Sequence, residues 1–86
     1  MRTLTLRQLR SIQAINEHRT IAAAARQLGL TPPAVTLQVK QLEDDFGLAL
    51  FDRTNDGMRL TAAGAAVLGA ANAIETTLRA LADEIQ

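Results

Sequence analysis

Residues 20–47, TIAAAARQLGLTPPAVTLQVKQLEDDFG, decide the reading of this chain. Thr20 is a helix N-cap residue type, and Ala22 to Ala25 follow it. Alanine favours helix and lets a neighbouring helix approach closely. Gly29 fits the left-handed position that ends a helix. Leu30 follows, Thr31 can cap again, and Pro32 stands at a first helical position, where no N–H is needed. These signals predict a short helix over 21–28 and a second over 32–46, which Gly47 ends. Two helices joined by a turn of about three residues containing Gly form a helix-turn-helix pattern.

The flanks extend this unit. Upstream, Thr5 and Gln8 have capping-box spacing, and Leu6, Leu9 and Ile12 form an apolar stripe. A first helix from about Leu6 to Glu17 follows, with His18 and Arg19 suiting the negative pole at its end. Downstream, residues 50–60 read as a small hairpin with Asp56-Gly57 in its tight turn. Such a hairpin after a helix-turn-helix is a wing. Thr61 then caps a long last helix from Ala62 onward, about 37 Å at 1.5 Å per residue. No Gly or Pro stops it, so the sequence is expected to continue in a longer protein. The fold expected is mainly α, a winged helix-turn-helix over 1–60 followed by a dimerising helix over 61–86.

The third helix has two faces. Val35, Val39, Leu42 and Phe46 recur at core spacing. Pro33, Leu37, Lys40, Gln41 and Asp44 face the other way, flanked by Ala34 and Thr36. No acid occurs from Thr31 to Leu42, and then Glu43, Asp44 and Asp45 come together. Helices usually place acids at the N-terminus. An acid-free start suits a docked polyanion, which free N–H groups and the dipole would attract. Thr36 and Gln38 can hydrogen-bond base edges or phosphates, and Gln38 also lies near the packed side. Lys40 suits a phosphate, which positions without reading sequence. An outward Leu37 suits the methyl group of thymine in the major groove. In the wing, Arg53 and Arg59 flank the turn within reach of phosphates or the minor groove. Arg26 could contact the backbone beside the groove, whereas Arg7 and Arg10 read as solvent-exposed.

In the last helix Gly64, Val67, Ala71, Ile74, Leu78, Leu81 and Ile85 recur at spacings 3, 4, 3, 4, 3, 4. That is a heptad seam. Its second half has nothing left in the sequence to cover it, so a second copy of the helix is expected there. Gly64, Gly69 and the alanines would let two backbones come close. A two-fold dimer would bind an inverted repeat with half-sites whole helical turns apart.

The 86 residues suffice for one small domain. Formal net charge is zero. Residues 1–60 hold eight Arg/Lys against six Asp/Glu, a balance of +2, and residues 61–86 hold one against three, a balance of −2. Charge alone leaves nucleic-acid binding undecided. With no Cys and one His, neither a disulfide framework nor a metal site is expected. There is no Gly-rich phosphate loop and no paired carboxylate set for a cleft, so neither catalysis nor a cofactor is expected. Phe46 and Phe51 are needed for the core, which leaves no stacking platform for RNA. No apolar run has the length of a membrane span. A helical interaction module without nucleic acid is the alternative. It would suit the heptad seam and the zero net charge, but would leave the acid-free helix start and the two wing arginines unexplained.

Several stretches resemble the N-terminal part of LysR-type transcriptional regulators. They are Leu6 to Leu9, Ala23 to Leu28, Thr31 to Glu43, Leu50 to Arg53 and Leu60 to Gly64, in register over residues 4–64. The resemblance implies a bacterial, cytoplasmic transcription factor of the nucleoid, about 300 residues long. A small-molecule effector would bind a domain absent from this chain. It also implies a linker helix pairing antiparallel in dimers through Val67, Ala71, Ile74, Leu78, Leu81 and Ile85, with tetramers in the full-length protein. Pro32, Pro33, Thr36, Leu37 and Gln38 would face double-stranded DNA beside Thr31, with Arg53 in the wing. The chain departs from many members at Pro32, where Gln is common, and at Leu37, where Arg or Lys is common. Residues 31–38 are similar to those of LysR regulators of carbon-fixation operons.

Overall fold

A computed structural model describes residues 4–86, so the first three residues of the expected 1–60 unit lie outside the described residues. Four helices and one hairpin follow in order: α1 (Leu6–His18), α2 (Ile21–Leu28), α3 (Pro32–Phe46), β1 (Phe51–Thr54), β2 (Gly57–Leu60) and α4 (Ala62–Ile85). Each helix begins at a threonine whose hydroxyl accepts the N–H three residues on: Thr5 from Gln8, Thr20 from Ala23, Thr31 from Ala34 and Thr61 from Gly64. The Thr5 capping box is complete, because the Thr5 N–H donates to Gln8 Oε1 at 2.9 Å. Gln8 is buried and also donates from Nε2 to Gln41 Oε1 at 3.2 Å, tying α1 to α3.

Ile12, Ile15, Ala24, Ala25, Val35, Val39, Leu42 and Leu50 form the centre of the core, joined by Phe51 from the wing. Phe46 is half-buried at its margin, as are Val67 and Leu68 of α4. The small alanines of α2 let it lie close to α1 and α3, so three short helices close one core with few large side chains.

The hairpin pairs antiparallel in the register Phe51↔Leu60, Asp52↔Arg59, Arg53↔Met58 and Thr54↔Gly57. The turn residues are therefore Asn55 and Asp56, one position earlier than the expected Asp56-Gly57 pair. Positive φ falls on Gly57, at 110°. Thr54 fixes this arrangement. Its hydroxyl donates to the Gly57 carbonyl at 2.7 Å and accepts the Asp56 N–H at 3.3 Å.

Glu43 turns inward from the run of three acids that closes α3. It is half-buried, and its carboxylate accepts the Leu50 N–H at 2.8 Å. The turn after α3 needs an acceptor for that amide, and Glu43 reaches back to provide it.

The heptad seam of α4 divides. Ala71 is 3% exposed within the protomer, and Val67 packs on the core. Ala71 is thus corrected from a dimer contact to a core residue, because the first half of α4 lies against α1. Gly64 is likewise spent inside the protomer, where an added Cβ would overlap the Leu50 carbonyl oxygen. Polar ties continue along the same contact, with Gln13 Nε2 donating to Asn72 Oδ1 at 3.1 Å and Arg10 facing Glu75 at 3.7 Å. Farther along the stripe the apolar side chains emerge: Ile74 at 36%, Leu81 at 51% and Ile85 at 75% exposed, with Leu78 half-buried.

The two α4 glycines should respond oppositely. Gly64→Ala forces the helix off Leu50 and is expected to destabilise the chain by about 2–3 kcal/mol. Gly69→Ala meets nothing within 4 Å and is expected to be neutral or stabilising by up to about 1 kcal/mol. Urea unfolding at one fixed protein concentration checks both, and equal effects would show that α4 does not seat on the wing base.

Candidate nucleic-acid interface

Thr31 to Lys40 supply the exposed face of α3. Pro33, Thr36, Leu37 and Lys40 stand at helical spacings 3, 1 and 3, so they share one side, and Pro32 lies one turn before Thr36. Together these five line one shallow depression. Leu37 is 53% exposed. Gln38 belongs elsewhere. It is half-buried in the groove of about 710 Å³ that α1 makes with α3, beside Leu28, Leu30 and Gln41.

The α3 N-terminus does not offer the free N–H groups that an anion site needs. Pro32 and Pro33 have none. The Ala34 N–H goes to the Thr31 hydroxyl, and the Val35 N–H to the Thr31 carbonyl at 3.2 Å. Thr31 is therefore occupied as the cap, and the expected phosphate attraction to free backbone amides is corrected. An acid-free first turn is also no special mark of α3, since the first turns of α1, α2 and α4 lack acids too. The better signal is wider. Between Glu17 and Glu43 the chain has no acid, while Arg19, Arg26 and Lys40 fall in that stretch. Residues 18–42, from the end of α1 through most of α3, thus carry positive charge with no acid among them. Arg26 stands exposed in the last turn of α2.

The wing treats its two arginines differently. Strand periodicity puts Arg53 and Met58 on the same hairpin face as the core-packed Phe51 and Leu60. Arg53 looks into a cleft of about 580 Å³ between the hairpin and the start of α2, lined also by Arg19, Thr20 and Ile21. Arg53 makes no ion pair among the described residues. Arg59 lies on the opposite face, directly across from Asp52, and its Nη2 is 3.4 Å from Asp56 Oδ2. Two neighbouring acids offset its charge, which leaves Arg53 the less compensated of the two wing cations.

Arg19 positions the wing, a role its sequence context hides. α1 ends at His18 and Thr20 caps α2, so one residue must reverse the chain direction. Arg19 does so at φ 72°, the one described non-Gly residue with positive φ. Its carbonyl accepts the Met58 N–H at 2.8 Å, and its Nη1 donates to the Met58 carbonyl at 3.5 Å. Gly57 makes room for this strut, because a Cβ there would come within 2.6 Å of the Arg19 oxygen. The abutting cap signals, His18 then Thr20, are the trace it leaves in the sequence.

Residues 6–65 match the model of the lysR family of bacterial regulatory helix-turn-helix proteins. The chain belongs to the LysR family. Among relatives, the HTH-type transcriptional regulator CbbR of Sinorhizobium medicae (strain WSM419) is 54% identical over 85 residues, which cover 99% of this chain and 27% of that protein. The RuBisCO operon transcriptional regulator of Allochromatium vinosum is 41% identical over 83 residues, covering 96% of this chain and 28% of that one. The chain thus spans about a quarter of the length of these LysR relatives. In structure it is similar to the CbnR_DBD–DNA complex, with a TM-score of 0.84 at 37% identity, over 94% of this chain and 93% of that one. The winged helix-turn-helix and the narrower likeness to carbon-fixation regulators both agree with these relatives. They are regulators and not enzymes by name, and the interaction module without nucleic acid is not favoured.

Replacing Gly57 tests the strut. Gly57→Ala adds strain at φ 110° and overlap with Arg19, for an expected loss of about 1–3 kcal/mol. Asn55→Ala, exposed at the turn, is expected to stay within about 0.5 kcal/mol. Denaturant midpoints of the two variants decide it, and an unchanged Gly57→Ala midpoint would remove the strut.

Proposed function

We propose that this chain is the DNA-binding domain of a LysR-family transcriptional regulator, binding double-stranded DNA sequence-specifically as a homodimer on an inverted repeat. Residues 1–60 form the winged helix-turn-helix and 61–86 the dimerising linker helix. The observation that carries the reading is the acid-free stretch of residues 18–42, with Pro33, Thr36, Leu37 and Lys40 of α3 displayed outward, in a member of this family. α3 enters the major groove, where its outer face meets base edges. Thr36 supplies a hydroxyl for a base or phosphate, and Lys40 and Arg26 meet phosphates. The wing over 50–60 lies on the backbone, with Arg53 reaching a phosphate or the minor groove. Gln38 supports the packing of α3 on α1 and reaches DNA only at the edge of the interface.

The partner is a second copy joined through Ile74, Leu78, Leu81 and Ile85, and Val67 contributes from the margin. Two weakly charged domains on a shared spacer gain effective concentration for the second contact. The regulator acts in the bacterial cytoplasm, forms a tetramer at full length, and receives its small-molecule effector through a domain outside this chain.

Fluorescence anisotropy with an inverted-repeat duplex across a salt series tests the reading. Native chain should bind saturably with a steep negative salt slope. Lys40→Ala should reduce that slope by about one per contact and weaken binding evenly across sequences. Thr36→Ala should weaken the preferred duplex more than an unrelated one. Absence of saturable binding at low salt, with dimers intact, would overturn the proposal.

The dimer has its own test. Leu81→Glu with Ile85→Glu places four charges in the seam of each pair of helices. Sedimentation equilibrium should then show monomers, and DNA affinity should fall by roughly a hundredfold or more. A variant that stays dimeric would move the interface off this stripe.

A further inference from the structure

We propose that the α3 tip selects its half-site through the 5-methyl group of thymine, with Leu37, Pro32 and Pro33 as the reading surface. The inference rests on the DNA-binding reading above and names the base feature that this site recognises.

The argument is an inventory of polar groups. A base edge is usually read in the major groove by hydrogen-bonding side chains such as Arg, Lys, Asn or Gln. The depression that α3 turns outward is lined by Pro32, Pro33, Thr36, Leu37 and Lys40. Two prolines and a leucine offer no donor or acceptor in their side chains. The prolines also remove the first two backbone N–H groups of the helix, and the next two are taken by Thr31. The tip of the reading helix is therefore a surface of C–H groups, with one hydroxyl at Thr36 and one cation at Lys40 on its margin. Gln38 could have supplied an amide, but it sits half-buried in the α1 groove instead.

Such a surface discriminates in two ways. It gains by covering an apolar group, and among the four base pairs only those with thymine present one in the major groove. It loses where it covers guanine O6 and N7 or the cytosine amino group, because those polar atoms would give up water without a partner. Leu37 is 53% exposed, yet a core position is not what it serves, since Val35, Val39 and Leu42 already fill the buried face of α3. Lys40 beside it, and the absence of acid from 18 to 42, favour a polyanion over an apolar protein surface as the occupant. Because the methyl group and not the thymine carbonyl is recognised, 5-methylcytosine in the same place should be accepted in preference to cytosine.

The test uses the 86-residue chain and duplexes selected from a randomised inverted-repeat pool. Each thymine of a selected duplex is replaced in turn by deoxyuridine, which removes the methyl and keeps the pairing. At one or two positions per half-site, binding should weaken about fourfold, as one lost buried methyl implies. Replacing that base pair by 5-methylcytosine·guanine should bind more tightly than cytosine·guanine. In Leu37→Ala, a helix-compatible change at an exposed site, the thymine-to-deoxyuridine difference should shrink towards one. Tight binding that no deoxyuridine substitution alters would overturn the methyl reading while leaving DNA binding intact. A folded dimer that enriches no duplex would overturn both.

Discussion

The peptide groups of Ala49 and Leu50 hold three elements together. The Leu50 N–H is taken by the Glu43 carboxylate from the end of α3. The Leu50 carbonyl accepts the Thr61 N–H, and the Ala49 carbonyl accepts the Thr61 hydroxyl. Gly64 lies against the same Leu50 carbonyl. The Leu50 side chain is fully buried in the core. Helix α3, the wing and α4 thus diverge from one short stretch of backbone in which the Leu50 N–H and the carbonyls of Ala49 and Leu50 are all engaged. Buried amides and carbonyls need partners, and this requirement fixes the angle at which α4 leaves the domain.

A second constraint works at the far side of the wing. A two-stranded hairpin is marginal alone. Here its base is stitched to α4 and its second strand to Arg19, at the turn between α1 and α2. The wing is therefore carried by the same body that carries α3, and Arg53 keeps a set position relative to Leu37 and Lys40. A contact surface whose parts are fixed in advance loses less freedom on binding. Charge adds to this arrangement through distribution and not through its sum. The chain is neutral overall, yet none of its acids falls between residues 18 and 42, and the three acids of α3 stand at that helix's C-terminal end, away from Pro32, Leu37 and Lys40.

The long helix carries one apolar stripe from the core into the open. Val67 and Ala71 complete a small domain core, and Ile74, Leu78, Leu81 and Ile85 continue the same stripe towards the exposed end of α4. A domain of this size buries a limited fraction of its surface, so lending it half a helix adds needed apolar cover. The remaining half then stands out as a spacer whose exposed stripe a second chain can bury. The core-packed half and the exposed half of the stripe are rigidly related because they are parts of a single helix, with the Gln13–Asn72 and Arg10–Glu75 ties holding it against α1.

Local chemistry made most of the architecture legible without coordinates. Four threonine caps, two closing glycines and a proline at a helix start placed every helix, because capping is decided by residues three or four apart. Apolar spacing found the buried face of α3, since Val35, Val39 and Leu42 must share one side. Tertiary structure alone settled how those pieces use their surplus groups. Which half of the α4 stripe faces inward depends on how far α1 runs beside it. Glu43 acts on Leu50, and Arg19 on Met58, through contacts that only the folded backbone brings together. The start of α3, without free backbone N–H groups, combines both levels: two prolines written in the sequence, and a Thr31 cap whose closure takes the next two amides. Sequence determines what each segment can form, through short-range sterics and hydrogen bonding. Packing decides which polar groups stay free to meet another molecule, because that depends on neighbours distant in the chain.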